Sequence, residues 1–175
     1  MNNADFNEFE MIINDIITNK QVLKMKNYRQ HCDTNTYDHC YNAAKYCYKI
    51  CKKLNLDYKS ATRAAMLHDF FLYDWRTSRK TRKYKSFHAF VHGKVAYENA
   101  SELFLLNEKE KDIIIKHMWP VSFEIPRSRE AFILTFVDKY CAISEVSSYI
   151  FRNLSTRRAW NYAYVLIYSF ICKLR

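Results

Sequence analysis

Four histidines and two aspartates occur in segments of helical periodicity, at positions where side chains should face a protein core. They stand among alanine, leucine, isoleucine or cysteine neighbours: His39, His68, Asp69, His92, His117 and Asp138. A buried imidazole or carboxylate costs free energy unless it has a partner. One or two divalent cations would satisfy all six side chains at once, so the pattern favours a shared metal site.

Each of these residues, taken alone, has a simpler explanation. His92 fits a core histidine with a hydrogen-bond partner, and His117 fits a helix cap before Pro120. Asp138 fits an ion pair with Lys139 or an arginine. The simpler explanation is favoured for any single residue, but together the six would need separate partners on five predicted helices. The joint pattern therefore indicates a metal site.

The types of ligand narrow the choice of metal. Imidazole with carboxylate suits Fe, Mn, Zn, Ni or Co, and Mg is also compatible. The six cysteines lack the spacing of a cysteine-rich structural zinc site: Cys32, Cys40, Cys47, Cys51, Cys141 and Cys172. Three of them (Cys40, Cys47 and Cys51) share one helical stripe, which is typical of small buried side chains in a reducing compartment. The expected cofactor is one or two divalent transition metal ions.

Apolar residues three or four positions apart predict helices along the whole chain. The first helix should bury a stripe of four residues: Phe6, Phe9, Ile13 and Ile17. The second, from about Tyr37, should bury a stripe of five: Ala43, Cys47, Ile50, Cys51 and Leu54. Asp57 or Ser60 would cap a third helix, which ends at His68 and Asp69.

Further helices are predicted in the second half of the chain. One of them, over about residues 89–104, should place four residues on one face: His92, Ala96, Asn99 and Leu103. Asn107 and Glu110 have the spacing of a capping box before a helix that carries His117 and stops at Pro120. Ser128 can cap a longer helix, on which four residues align: Leu134, Asp138, Cys141 and Glu145.

These helices fit a single all-α domain. The chain has 175 residues with only one glycine and two prolines, which argues against a sandwich, a barrel or a glycine-rich phosphate loop. The expected organisation is an N-terminal helix in residues 1–27 packed on a core domain in residues 28–148. Residues 149–175 complete the same globule with an amphipathic helix, from about residue 155, that is rich in Trp and Tyr.

The charge of the chain indicates the kind of partner. Its formal net charge is +10, so it should attract polyanions such as nucleotides, nucleic acid or anionic lipid. Six basic residues and no acid lie between Arg76 and Lys85, which predicts an exposed loop. The longest apolar run, Trp160 to Cys172, is too short to span a bilayer, and no leader is evident. We expect a cytoplasmic protein, for which a homodimer is compatible with the aromatic last helix.

Five stretches carry the six candidate ligands in a fixed order. They are Tyr37-Asp-His39-Cys-Tyr-Asn-Ala43-Ala44, Ala64-Ala65-Met-Leu67-His68-Asp69, His92-Gly93-Lys-Val-Ala96, Ile115-Lys-His117-Met-Trp-Pro120 and Val137-Asp138-Lys139. This ordered set resembles the HD superfamily of phosphohydrolases over roughly residues 28–148. The chain is most similar to uncharacterised bacterial HD-domain proteins, and more distantly to the dinucleoside-tetraphosphate hydrolase and cyclic-dinucleotide phosphodiesterase branches.

The resemblance implies a helical bundle of the HD type with a defined ligand set. His39, His68, Asp69 and Asp138 would hold one metal. His92 and His117 match positions that hold a second metal in the dinuclear branches, with Asp69 as the bridge. The implied activity is hydrolysis of a phosphate ester or anhydride by a metal-bound hydroxide. The expected partner is a small phosphorylated substrate, with a nucleotide favoured.

Several other residues are candidates for work on such a substrate. Four could bind phosphate: Arg29, Arg76, His88 and Lys139. Asp69 and Asp74 are the candidate catalytic carboxylates, with Asp74 as a general acid or base. In several HD branches a Lys or Glu stands three residues after the motif's Asp and transfers protons, but that position is Leu72 here. Proton transfer would then come from Asp74, a histidine or water.

Two other functions are compatible with the same residues. Some HD proteins that resemble this ligand set use iron for oxidation, so a di-iron oxygenase is one alternative. The other is a basic, non-catalytic module that binds a nucleotide or nucleic acid around a structural metal. The net charge, the basic run between Arg76 and Lys85 and the aromatic-rich C-terminal helix are consistent with the second alternative, although phosphate hydrolysis is the favoured function.

Overall fold

The protein is a bundle of helices in the computed structural model, which describes residues 1–75 and 88–154. The described helices are α1 Asn3–Ile17, α2 Lys20–Leu23, a 3₁₀ turn Lys24–Asn27, α3 Thr36–Lys53, α4 Tyr58–Leu67, α5 His88–Ser101, α6 Glu108–Lys116 and α7 Arg129–Leu154. Across the described part of the chain, the β-type pairing amounts to an isolated bridge between Arg29 and Asn35. The expected all-α fold is confirmed.

The helices begin where local sequence offers an oxygen to cap them. The Asp57 carboxylate accepts from the backbone amide of Ser60 at 3.1 Å at the start of α4. Asn107 and Glu110 form the predicted capping box at the start of α6. Ser128 Oγ accepts from a backbone amide in the first turn of α7. Capping depends on residues within one turn, which is why these starts could be predicted.

Helix α4 lies at the centre of the bundle, because it packs against α1, α3, α5, α6 and α7. Its buried face includes three alanines (Ala61, Ala64 and Ala65), whose small side chains let neighbouring helices approach. The end of α4 is therefore surrounded by other helices. That end carries His68 and Asp69.

The chain's single glycine lies where α5 crosses the end of α6. A Cβ atom at Gly93 would lie 2.7 Å from the carbonyl oxygen of Ile115 and 3.0 Å from that of Ile114. No real Cβ atom approaches a backbone oxygen so closely, so only glycine permits this packing. The close approach brings His92, which precedes the glycine, to His117 at the end of α6.

The predictions of buried stripes were wrong at the ends of the helices. Four residues that were expected in the core are exposed: Phe6 by 43%, Ile50 by 36%, Leu54 by 57% and Leu103 by 43%. Each lies in the first or last turn of its helix or just beyond it, where periodicity continues but neighbouring helices no longer cover the side chain. The central members of these stripes, such as Phe9, Ile13, Ala43 and Cys47, are buried as expected.

Some predictions fall on residues outside the described ranges: the basic loop from Arg76 to Lys85, the last helix over about residues 155–174 and Cys172. Among the described cysteines, four are buried free thiols: Cys40, Cys47, Cys51 and Cys141. None of the helices in the described ranges is both long and apolar enough to cross a membrane.

Candidate metal centre

His68 and Asp69 lie at the C-terminal end of α4, fully enclosed by protein. His68 is the C-cap residue, and its Nδ1–H donates to the carbonyl oxygen of Ala65 at 2.7 Å. The last carbonyls of a helix have no backbone amide to pair with, so they can accept from a side chain. This bond fixes the imidazole so that Nε2 points away from α4 and towards Asp69.

His92 and His117 are held in the same way. His117 is the C-cap residue of α6, and its Nδ1–H donates to the carbonyl oxygen of Ile114 at 2.8 Å. His92 Nδ1–H donates to the carbonyl oxygen of His88, one turn earlier in α5, at 2.9 Å. Both rings therefore present Nε2 to the same point, and these two atoms lie 2.9 Å apart.

His39 is oriented by a different kind of group. It lies in the first turn of α3, and its Nδ1 lies 3.0 and 3.2 Å from the two carboxylate oxygens of Glu145 on α7. Its Nε2 lies 3.0 Å from Oδ1 of Asp138, two turns earlier on α7. Helix α7 thus supplies one carboxylate to each nitrogen of this ring.

All four imidazoles share one arrangement. Each Nδ1 faces a carbonyl or carboxylate oxygen, which can only accept, so Nδ1 carries the proton. Each Nε2 then turns towards Asp69 or Asp138, where it could bind a cation in its deprotonated form, as metal-binding histidines do. The ligand atoms form two groups that share Asp69: one comprises His39, His68, Asp69 and Asp138, and the other comprises Asp69, His92 and His117.

The spacing within each group suits a common cation. Two ligands about 2.1 Å from one metal lie about 3.0 Å apart at a right angle and about 3.4 Å apart at a tetrahedral angle. In the first group, His68 Nε2 lies 3.5 Å from Oδ2 of Asp69 and 3.5 Å from Oδ1 of Asp138. In the second group, Oδ1 of Asp69 lies 3.3 Å from His92 Nε2 and 3.5 Å from His117 Nε2. The two oxygens of Asp69 therefore face different groups.

Two buried atoms of the cluster lack a hydrogen-bond partner within the described residues: Nε2 of His68 and Oδ1 of Asp69. An orphaned buried acceptor costs about 1–3 kcal/mol. A cation held by these atoms would remove that penalty. The residues present thus fit a divalent metal on spacing, on donor chemistry and on the atoms left unsatisfied.

Charges within the cluster shift the pKa values of its members. Burial acts to lower the pKa of His39, but the hydrogen bonds that its ring donates to Asp138 and Glu145 outweigh burial and raise that pKa to about 10. Burial also opposes the charged form of Asp69, yet the neighbouring imidazoles, His68 foremost, hold the pKa of this carboxyl well below its usual range. Burial and the repulsion of His92 and His68 lower the pKa of His117 to about 3. Protons and a bound cation would therefore compete for one set of atoms.

Three residues at the cluster were not predicted as site residues: Glu145, Gln30 and His31. Glu145 was expected on the Asp138 face of α7, and the seven-residue spacing was the signal that could have found it. Gln30 donates from Nε2 to Oδ2 of Asp69, and the His31 ring stands edge-on to His39 with 5.2 Å between centroids. Both belong to the irregular segment before α3, which has no periodicity from which a side-chain direction could be read.

The predicted substrate-binding residues lie in different surroundings. His88 is stacked between Trp75, at 5.4 Å between centroids, and His92, at 4.6 Å. Lys139 Nζ donates to the carbonyl oxygens of His117 and Thr135 at 3.3 and 3.2 Å. Arg29 is exposed directly before Gln30.

The remaining candidates concern catalysis and the basic loop. Asp74 is half-buried, five residues after Asp69. Arg76 lies outside the described residues. Leu72 packs against the hydrophobic core, so the position that carries a proton-transfer residue in several HD branches is apolar here.

Comparison with protein-family models places these residues in a known family. The model of the HD domain matches residues 36–143, which contain all six predicted ligands. The chain belongs to the HD domain family. This family is typically one of metal-dependent hydrolases, and the buried His and Asp groups could hold a metal ion. Neither the curated proteins nor the solved structures gave a significant match.

Proposed function

We propose that this HD-domain protein is a metal-dependent phosphohydrolase that cleaves a phosphate ester or anhydride, with a nucleotide as the favoured substrate. The observation that carries the proposal is the orientation of the four imidazoles, each held at Nδ1 by an oxygen so that Nε2 faces a shared carboxylate. The four side chains are therefore oriented towards one centre before any cation binds. Pre-oriented ligands of this kind are what catalytic metal sites require.

In this proposal His39, His68, Asp69 and Asp138 hold the first cation, and His92 and His117 join Asp69 around a second. Divalent cations, when bound, lower the pKa of a coordinated water and neutralise charge on a phosphoryl group. The protein's own part is to hold ligands at fixed distances and to keep most of the centre dry. Asp138 and the neighbouring Glu145 have side chains that are 12% and 10% exposed, whereas the other five proposed ligands are more deeply buried. A substrate would therefore approach from the α7 side.

Positive charge supports a phosphorylated substrate. The formal net charge is +10, and Lys139 lies beside the centre, 3.9 Å from Oδ2 of Asp138. Burial lowers the pKa of Lys139. A phosphate at the centre would offer this ammonium a stronger acceptor than the two backbone carbonyls it now contacts.

The direct test is turnover of a nucleotide panel by protein loaded with Mn, Fe, Co, Ni, Zn or Mg. We expect release of phosphate or a nucleotide product that is lost in Asp69→Asn and His68→Gln. Glu108→Gln, which changes a 90% exposed carboxylate on α6, is the matched control and should keep full activity. Absence of turnover with every metal and every nucleotide would reject a nucleotide phosphohydrolase.

A di-iron oxygenase is the second candidate, because the two oxygens of Asp69 face different groups of histidines as a bridging carboxylate would. Anaerobic iron loading followed by exposure to oxygen separates the two functions. New optical and Mössbauer features that depend on oxygen would favour the oxygenase. A purely binding role would instead show salt-dependent retention on nucleic acid that survives His68→Gln.

A further inference from the structure

Glu145 gives one of the four imidazoles a partner that the other three lack. Three of the rings donate from Nδ1 to a neutral backbone carbonyl of their own helix: those of His68, His92 and His117. The His39 ring instead donates from Nδ1 to the Glu145 carboxylate of a different helix, and both carboxylate oxygens lie within 3.2 Å of this nitrogen. His39 lies in the first turn of α3, where the Asn35 carbonyl of the preceding turn accepts from the backbone amide of His39.

A carboxylate behind an imidazole makes the opposite ring nitrogen a stronger ligand than a carbonyl does. The carboxylate stabilises positive charge that the ring acquires when Nε2 binds a cation, and it fixes the orientation of the ring. The Glu145 side chain, which is only 10% exposed, reaches His39 across the interface between α3 and α7. Glu145 should therefore increase the metal affinity of the group that contains His39, since its hydrogen bonds are to His39 and not to His92 or His117.

The two groups also differ in the charge of their ligands. The first group holds Asp69 and Asp138, with Glu145 behind it, whereas the second has only the shared Asp69. A divalent cation is attracted more strongly where more carboxylates face it. Ligand charge and ring orientation thus both predict tighter metal binding by the first group.

We propose that Glu145 is the positioning residue of His39 and that it divides the centre into a tight first site and a weaker second site. This inference rests on the proposed metal-dependent function. The tight site is formed by His39, His68, Asp69 and Asp138. The weaker site, formed by Asp69, His92 and His117, loads only after the first and exchanges its metal readily.

A competing role for Glu145 is that of a direct ligand. His31, His39 and Glu145 form a third group whose ligand atoms lie within 4.8 Å of one another. The geometry favours the positioning role, because both Glu145 oxygens lie at hydrogen-bond distance from Nδ1 of His39, which carries a proton. A cation at that point would have to displace this proton. The experiment must therefore separate the two roles.

The experiment compares the full-length wild-type protein with Glu145→Gln, Glu145→Ala and the control His31→Phe. Zn affinity is measured by competition with a chromogenic chelator, metal content by elemental analysis, and ligand geometry by the optical spectrum of Co-loaded protein. We expect wild type to bind Zn in two steps of different affinity. Glu145→Gln, whose amide oxygen can still accept from His39, should weaken only the tighter step, by about 10-fold, and Glu145→Ala by about 100-fold.

The remaining readouts distinguish positioning from other roles. Both Glu145 variants should reach the wild-type metal content at saturating Zn, and the Co spectrum of the first site should shift. His31→Phe should match wild type in affinity and content. Thermal denaturation shows whether each variant is folded. If Glu145→Ala does not fold, the inference is tested with Glu145→Gln alone, since Gln preserves the size of the side chain and its hydrogen bond.

Distinct results would overturn the inference. Unchanged Zn affinity in a folded Glu145→Gln variant would show that Glu145 has no positioning role. Loss of a whole equivalent of Zn in Glu145→Gln and His31→Phe would show that these residues are ligands. Two binding steps of equal Zn affinity in the wild-type protein would contradict the division into a tight and a weak site. A protein that shows the expected metal binding but hydrolyses no nucleotide would contradict only the proposed function.

Discussion

The Nε2 atoms of His92 and His117 lie 2.9 Å apart, although they come from different helices and neither ring is free to turn. Hydrogen bonds to backbone carbonyls fix both rings, and α5 and α6 meet closely enough only because Gly93 lies at their crossing. Two imidazole nitrogens at this distance must share either a proton or a cation. The proposed second metal site thus depends on one helix crossing.

His117→Gln should remove the second cation and leave the first. The four residues of the first group lie outside α6, so metal content at saturation should fall by one equivalent. We expect hydrolysis to fall by about 100-fold, since only one cation would remain to neutralise the phosphoryl group. Elemental analysis and phosphate release measure the two effects. His68→Gln is the counterpart, and it should abolish the first step of metal binding; equal metal contents in His117→Gln and wild type would contradict the assignment.

Gly93→Ala should force α5 and α6 apart. The added Cβ would lie 2.7 Å from the carbonyl oxygen of Ile115, and a backbone atom cannot move aside as a flexible side chain can. Overpacking of this kind costs about 1–3 kcal/mol of unfolding free energy. Urea denaturation measures that cost, and Zn titration should show a weakened second step with an unchanged first step. Lys94→Ala, at the neighbouring position with a 52% exposed side chain, is the control. A Gly93→Ala protein with wild-type stability would show that α5 and α6 do not approach so closely.

Metal affinity should rise with pH over the neutral range. Burial alone would lower the pKa of His39, but Asp138 and Glu145 raise it to about 10, so the metal-free protein carries a proton on Nε2 of this ring at pH 7. The carboxyls of Asp69 and Asp138 have pKa values well below their usual range and remain ionised. A cation must therefore displace protons from imidazole, and acidification weakens its binding by about tenfold per pH unit for each displaced proton. Calorimetry in two buffers of different ionisation enthalpy should detect proton release, whereas a pH-independent affinity would contradict the prediction.

Arg63→Met should destabilise the fold without touching the metal centre. Arg63 on α4 donates to both oxygens of Asp15 on α1, at 2.6 and 2.9 Å, and its Nε lies 3.3 Å from Glu110 on α6. Glu110 is only 3% exposed, so the substitution leaves a buried carboxylate without its cation. We expect a loss of about 2–4 kcal/mol in unfolding free energy.

The control for this prediction is Asp15→Asn. The Asp15 side chain is 53% exposed, so its pairing with Arg63 should contribute less than about 1 kcal/mol. Urea denaturation of both variants gives the comparison. An Arg63→Met protein that loses no more stability than Asp15→Asn would show that Glu110 does not need this partner. Metal content should be unchanged in both.

Local features of the sequence predicted most of the elements. The Asp57 cap, the capping box of Asn107 and Glu110, and the central parts of the apolar stripes depend on residues within one or two turns. The errors at Ile50, Leu54 and Leu103 occur in the last turn of their own helix or just beyond it. The periodicity of one helix contains no information on how far another helix extends along it.

The sequence by itself determined the types of residue in the candidate metal centre and their order along the chain, because buried imidazoles and carboxylates are recognisable from the apolar residues around them. It did not determine which nitrogen of each ring would face the centre, nor that Glu145 would reach His39 or that Gln30 would reach Asp69. Those contacts join residues far apart in the chain. Only the packing of α3, α4 and α7 decides which side chains come within hydrogen-bond distance, since the strength of such a bond depends on separations of a few tenths of an ångström that no sequence pattern records.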